Sequence, residues 1–270
     1  MGTEPVRPAM PARRLAVSAG GVEAGERTVA EETPVAIVHD AATYAVMMAT
    51  PADLEDFGIG FSLTEGVIER PDEVTGLQIE AGALGIELRM WLAPERGQAL
   101  SLRRRTMAGP TGCGLCGIES LAALKRPRRR PLAEPGPLAE GDIRAAMASI
   151  DEHQSLGRET RAVHAAGFWT KTDGLVALRE DVGRHNALDK LAGAMARGGT
   201  RPAGVLVLTS RVSVELVEKA AVMGVAVIAA VSAPTALAIR TAEANDITLI
   251  AVARTDGFEV FTRPERLVLP

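Results

Sequence analysis

Apolar runs broken at regular intervals by polar clusters mark the second half of the chain. Residues 175–178 read as a strand and 183–196 as a helix closed by Gly198 and Gly199. After these come a strand over 203–208, a helix over 213–222, a strand over 225–231, a helix over 235–244, a strand over 247–252 and a last strand over 258–261. Uninterrupted apolar strands alternating with helices predict right-handed crossovers onto a largely parallel sheet flanked by helices. The expected class is α/β, with a smaller α+β subregion before it. There, strands are expected over 34–39 and 44–48, around an Asp-Ala-Ala turn. Thr50-Pro51-Ala52-Asp53 has the form of a helix start, with a hydroxyl N-cap, Pro at the first helical position and an acid in the first turn. That helix is expected to reach Thr64 or Glu65 and stop at Gly66, with further strands over 77–80, 85–92 and 99–103.

The punctuation suggests four segments. Residues 1–27 are rich in Pro, Ala, Gly and Arg without periodicity and read as a flexible arm. Residues 28–130 form the N-terminal subregion and 142–270 the α/β subregion, with a Pro- and Gly-containing linker over 131–141. Between Lys219 and Arg240 lie twenty uncharged residues, nominally enough to cross a bilayer. Gly224, Ser232, Pro234 and Thr235 divide them, so a buried strand feeding a helix is the better reading. The first 28 residues carry Arg7, Arg13 and Arg14 without a following apolar stretch, unlike an export signal. The expectation is a cytoplasmic protein with no membrane segment.

Composition narrows this further. The chain has 270 residues, 47% hydrophobic and only 3% aromatic, so its core must be built from small aliphatic side chains in close helix–sheet contact. A net charge of −4 does not suit a general nucleic-acid binder. The charge is uneven, however: Arg103-Arg104-Arg105 precedes the only two cysteines, and a basic run over 125–130 follows them. A solvated hinge and a surface offered to an anion both fit that run.

In sheets of this kind, ligands bind beyond the carboxyl ends of the strands, where helix N-termini leave N–H groups free. The polar residues fall at those positions: Arg179, Glu180, Asp181, Gly183, Arg184, His185 and Asn186; Thr209, Ser210, Arg211 and Ser213; Ser232, Pro234 and Thr235; and Arg254-Thr255-Asp256-Gly257. Arginines beside helix N-termini suit phosphates by charge and by bidentate geometry. His185 with Asp189, and Asn186 with Lys190, are spaced four apart on one helix. They fit either surface contacts or an acid–base group at the rim of the site. His164, apolar on both sides, reads as a core histidine or a ligand.

Cys113 and Cys116 stand in Gly112-Cys113-Gly114-Leu115-Cys116-Gly117. Two cysteines exclude a disulfide-stapled scaffold and a four-cysteine zinc or iron–sulfur site within one protomer. A redox dithiol, half a metal site, a sulfur-carrying thiol and a pair of inert residues remain. The glycines leave both sulfurs open, and nearby cations favour the thiolate. Pro110 before this stretch is similar to the Pro-Cys-x-x-Cys half of a zinc deaminase, but the His-x-Glu half is missing and deamination is not expected.

Taken together, the motifs resemble those of the formate dehydrogenase accessory sulfurtransferase family (FdhD). The matching stretches run from Met48-Ala49-Thr50-Pro51-Ala52-Asp53-Leu54 through Gly60-Phe61 and Thr64-Glu65-Gly66 to the cysteine motif. They continue with His164-Ala165-Ala166, the run from Arg179 through Arg184-His185-Asn186 to Lys190, Arg211-Val212-Ser213 and Ser232-Ala233-Pro234-Thr235. The resemblance covers about residues 28–268. Thr209-Ser210 stands where the family often has Ser-Gly, and Val252 where it has an aromatic, departures that bear on ligand contacts.

The resemblance implies a cytidine-deaminase-like fold without the zinc site, in a homodimer. It implies a sulfurtransferase that accepts sulfur from a cysteine desulfurase as a persulfide on Cys113, assisted by Cys116. The sulfur passes to the molybdenum (or tungsten) bis(guanine dinucleotide) cofactor destined for formate dehydrogenase. The family's cofactor-binding segment falls on Val252, Ala253, Arg254, Thr255, Asp256 and Gly257, and no protein-ligated metal is implied; the strand-end residues Arg211, Ser213, Arg184, His185 and His164 are the further candidates for holding the cofactor. A non-catalytic chaperone for the same cofactor is the alternative, and a dithiol oxidoreductase a third reading.

Overall fold

A computed structural model describes residues 6–105, 130–254 and 256–269, with the backbone alone for 101–105. Cys113, Cys116 and Thr255 lie outside the described residues.

The segment expected to be an arm without regular structure is instead an antiparallel hairpin of β1 (Ala9–Ser18) and β2 (Gly21–Ala30). Its strands were hidden because most of their residues face solvent, so no apolar alternation marks them. Then comes a four-stranded sheet of β3 (Thr33–His39), β4 (Ala42–Ala49), β5 (Val74–Gly82) and β6 (Gly85–Leu92), in the order β4-β3-β6-β5. Helix α1 (Leu54–Thr64) covers one face of it through Phe57 and Phe61, against Val35, Ile37, Leu88 and Met90. Residues 99–103, expected as a strand, belong to a helix, α2 (Pro94–Arg105). Leu100 packs there beside Ile68 and Leu92, a contact that a short alternating pattern does not reveal.

The expected linker over 131–141 is built into the structure. Leu138 is buried in β7 (Leu138–Ala139), which pairs with β14 (Leu267–Val268), and Ala133 bridges to Val225. Helices α3 (Glu140–His153) and α4 (Ser155–Thr160) follow.

The larger sheet has six strands: β8 (His164–Thr170), β9 (Gly174–Asp181), β10 (Val205–Leu208), β11 (Val227–Ala230), β12 (Thr248–Ala251) and β13 (Glu259–Thr262). Their order is β13-β12-β11-β10-β8-β9. Only β10–β11 and β11–β12 are parallel; β8 runs antiparallel to both its neighbours, and β13 to β12. The expectation of a largely parallel sheet is therefore corrected to a mixed one. The cause is β8, a buried strand inserted between β9 and β10. Because both neighbours oppose β8, β9 still points the same way as β10, β11 and β12. The carboxyl ends of these four strands share one edge, and β8 begins there.

Helices α5 (Arg184–Arg197), α6 (Val214–Met223) and α7 (Ala236–Ala244) cover one face of this sheet. Leu188, Leu191, Leu216, Val217, Ala238 and Ala242 meet Phe168, Leu206, Ile228 and Leu249 there. On the other face α3 packs Ile143, Ala146 and Ile150 against Val205, Val207, Val227 and Ile250. Sheets buried on both sides need strands that are apolar on both faces, as these are.

The two sheets join where α1 lies on α5. A Cβ on Gly60 would fall 1.7 Å from the Asp189 carbonyl oxygen, and one on Gly193 1.9 Å from that of Asp56. Only hydrogen at both positions lets the two backbones approach this closely.

Candidate anion site at the sheet edge

The run from Arg179 to Lys190 supplies two different things, which the sequence presents as one cluster. Part of it faces inward. Arg179 donates through Nε (2.9 Å) and Nη2 (2.7 Å) to Asp56 on α1, which also takes Arg197 Nη1 at 2.6 Å. Glu180 accepts from the N–H groups of Leu156 (2.9 Å) and Gly157 (2.7 Å), in the first turn of α4. Asp181, wholly buried, meets Lys190 Nζ at 2.7 Å. Asp189 accepts from Thr64 Oγ1 at 2.6 Å and from Lys219 Nζ at 2.8 Å. The pairs spaced four apart are thus neither surface contacts nor a rim acid–base group: Asp189 and Lys190 are buried and tie α5 to α1, α6 and the strand β9. Burial depresses the Lys190 pKa, with Asp181 pulling it back up. Burial would depress Lys219 too, but the charges of Asp189 and Glu65 hold it above the ordinary lysine value.

Thr50 belongs to the same seam. It does not cap α1, which starts at Leu54 after Asp53 in a left-handed conformation (φ 52°). Its N–H donates to Asp181 Oδ2 at 3.0 Å, its Oγ1 accepts from Val182 N–H at 3.1 Å, and its carbonyl accepts from Lys190 Nζ at 2.8 Å.

The rest of the run faces the open edge. Arg184 and His185 are the first two residues of α5, whose N-cap, Gly183, offers no side chain to its first turn. Arg184 Nε is buried and has no hydrogen-bond partner among the described residues. His185 Nε2, likewise without one, lies 3.9 Å from Glu215 Oε2 on α6. Burial, then Arg184 and Lys219, push the His185 pKa down to about 4, against the pull of Glu215 and Glu65. His185 is thus neutral at physiological pH, and positive charge at this edge comes from arginine, beside the carboxylate of Glu215. His164 opens β8 opposite Asp181, at the edge and not in the core. It is half-buried, and burial with the nearby Arg184 lowers its pKa.

The loops after β10, β11 and β12 are joined to one another. Val212 N–H donates to Ala233 O (3.4 Å), Thr235 N–H to Val212 O (3.0 Å), and Ala253 N–H to Ala230 O (3.1 Å). Thr235 caps α7 by accepting from Ala238 N–H, and Ser213 is the N-cap of α6 without a side-chain cap bond. Arg211 is exposed, and no partner engages its guanidinium among the described residues. Val252 has φ 52°, a left-handed conformation that a β-branched residue rarely adopts. Such outliers gather at functional sites. Ala253 is buried; Arg254 is exposed and donates to the Val231 carbonyl at 2.7 Å. Asp256 is exposed, and its carbonyl accepts from Arg144. The Gly257 carbonyl accepts from Arg254 N–H at 2.7 Å.

The edge thus brings together Arg184, His185, His164, Arg211, Ser213 and the 252–257 loop around the starts of three helices. A hollow of about 530 Å3 lies along β9, beside Pro8, Asp53 and His153, and includes none of these residues. Reading the sequence missed Glu215, Thr50, Asp56 and Lys219. Lys219 left one signal: it sits three residues after Leu216, on the buried face of an apolar helix, and a lysine there needs an acid.

A family model described as the FdhD/NarQ family matches residues 30–268. The chain is 49% identical over 257 residues to a "Sulfur carrier protein FdhD" of Agrobacterium fabrum, covering 95% of each chain. It is 52% identical over 255 residues to the protein of the same name from Brucella abortus, covering 94% of this chain and 95% of that one. Among solved structures it is similar to a protein of Desulfotalea psychrophila assigned as a formate dehydrogenase accessory protein. The TM-score is 0.75 and the identity 26%, over 96% of this chain and 99% of that one.

Proposed function

The chain belongs to the FdhD/NarQ family, and on that footing we propose that it is a sulfurtransferase serving formate dehydrogenase. Cys113 takes a sulfane sulfur from the persulfide of a cysteine desulfurase, and the desulfurase thiolate leaves. The sulfur is then delivered to the molybdenum or tungsten bis(guanine dinucleotide) cofactor, which is cargo and not a resident group. Cys116 assists: its thiolate attacks the inner sulfur of the Cys113 persulfide, releases hydrosulfide and leaves a Cys113–Cys116 disulfide for a cellular dithiol to reduce. The protein works in the cytoplasm as a homodimer, in a fold of the cytidine-deaminase-like type; among the described residues no helix is long and apolar enough to cross a membrane.

The observation that carries this reading is the edge of the larger sheet. Arg184 Nε and the Arg211 guanidinium have no hydrogen-bond partner among the described residues, beside helix starts whose N–H groups suit phosphate oxygens, and Glu215 is the acid near Arg184. A bis-dinucleotide presents several phosphates. With both histidines held toward the neutral form, such a ligand meets fixed arginine charge across the physiological pH range.

Mass spectrometry of the protein after incubation with a desulfurase and cysteine tests the carrier role. A gain of one sulfur on Cys113, lost in Cys113→Ala together with formate dehydrogenase activation, is the expected result. If Cys113→Ala still yields sulfurated cofactor and active enzyme, the carrier role is wrong, and a chaperone that only holds the cofactor takes its place.

A further inference from the structure

The first turn of α5 is held from behind by buried polar groups that sulfur transfer does not use. Asp181 has every oxygen engaged. Oδ1 accepts from Gly183 N–H (2.8 Å) and Asn186 Nδ2 (3.0 Å), and Oδ2 from Thr50 N–H (3.0 Å) and Lys190 Nζ (2.7 Å). Asn186 also donates to the Met48 carbonyl at 2.8 Å, and Lys190 to that of Thr50. Asp181, Lys190 and Thr50 are all wholly buried.

A helix N-cap ordinarily fixes its first turn with its own side-chain oxygen, which then occupies the N–H groups an anion would need. Here the N-cap is Gly183, which has no such oxygen. Asp181 grips the turn through Gly183 N–H and Asn186. The backbone N–H groups of Arg184 and His185 have no partner among the described residues. Stability alone does not account for the pair, since a buried ion pair is often no better than apolar residues of the same volume.

We propose that Asp181 and Lys190, together with Thr50, are positioning residues for the anion site: they set the direction in which Arg184 and the first turn of α5 face a polyphosphate. The proposal rests on the reading of that edge as a phosphate site. It also assigns a task to Thr50-Pro51, a stretch that resembles a helix start but serves as an anchor between the two halves.

Titration calorimetry with GDP, run well below each variant's melting temperature, tests this. Lys190→Met leaves Asp181 unpaired and lowers the melting temperature. The double variant Asp181→Asn/Lys190→Met removes the stranded charge and recovers part of that loss, the remainder reflecting an Asn Nδ2 that faces an N–H donor. If the pair positions the site, the double variant still binds GDP about tenfold or more weakly than the parent, a loss of the size expected for one charge-assisted contact. Parental GDP affinity in the recovered double variant overturns the proposal. Should the double variant not fold, Thr50 decides. Thr50→Val, which loses the acceptor for Val182 N–H, weakens GDP binding several-fold, while Thr50→Ser keeps the hydroxyl and binds like the parent. Equal binding by Thr50→Val and the parent overturns the proposal. A parent that does not bind GDP refutes the phosphate site itself, a different result from a parent that binds beside variants that bind as well.

Discussion

The seam between α1 and α5 and the open edge of the larger sheet draw on the same short run of charged residues, and they use it in opposite ways. At the seam the cations have acids within hydrogen-bonding distance: Arg179 and Arg197 on Asp56, Lys190 on Asp181, Lys219 on Asp189. At the edge, no acid is hydrogen-bonded to Arg184 Nε or to the Arg211 guanidinium among the described residues, and Glu215 meets Arg184 only through its charge. Burial explains the difference. A charge removed from water must be paired, whereas Arg211 at the rim stays hydrated and can exchange its water for a ligand, and half-buried Arg184 keeps an unpartnered Nε there. The lesson is that charged residues adjacent in sequence separate into structural and ligand-facing sets according to burial.

The largest expected effect breaks the seam itself. Gly60→Val would drive a side chain into the Asp189 carbonyl, a backbone group that cannot move without shifting α5. Overpacking typically costs about 1–3 kcal/mol and occasionally more; with backbone on both sides, loss of soluble folded protein is expected, read by circular dichroism and gel filtration. Lys219→Met comes next. It strands the Asp189 carboxylate in the interior and should cost about 3–5 kcal/mol in urea denaturation. If Lys219→Met unfolds like the parent, the seam is not held by its ion pairs and the contrast with the edge fails.

Removing charge at the edge should do the reverse. Arg211→Ala, at an exposed site, is expected to change unfolding free energy by no more than about 0.5 kcal/mol, and Arg184→Ala, at a half-buried one, by no more than about 1 kcal/mol. Each should lose about 1.5–3 kcal/mol of binding to GDP by calorimetry. A stability loss without an affinity loss would place these arginines with the seam. A pH-dependent effect concerns His185, which lies between the two regions. Its folded pKa of about 4 is below the unfolded value of 6.5, so the unfolded chain binds the extra proton first as pH falls. Stability should therefore decline from pH 6.5 toward pH 4, and His185→Gln should flatten that part of the profile. An NMR titration that finds His185 protonating near pH 6.5 would show that burial and Arg184 do not control it.

Much of the α/β half was legible in the sequence. Strands β10, β11 and β12 and helices α5, α6 and α7 announce themselves because continuous apolar runs and 3.6-residue periodicity are local properties. The hairpin of β1 and β2 was illegible for the converse reason, since strands exposed on both faces carry no pattern. The edge residues Arg184, His185, Arg211 and Ser213 could be placed from strand direction alone. Asp189, Lys190 and Thr50 could not, because their spacing fits an exposed helix face or a helix start equally well.

The sequence by itself determined which segments are apolar, where strands end, and that its only two thiols, Cys113 and Cys116, share one glycine-rich motif. These follow from residue order, which local chemistry reads directly. Only the tertiary structure decided that β8 lies between β9 and β10, that Gly60 and Gly193 let two helices touch, and which members of the Arg179–Lys190 run face inward. Those outcomes depend on what arrives from more than a hundred residues away: Asp56, Thr50 and Thr64 supply the partners that hold one set of charges inside and leave Arg184 and His185 at the edge.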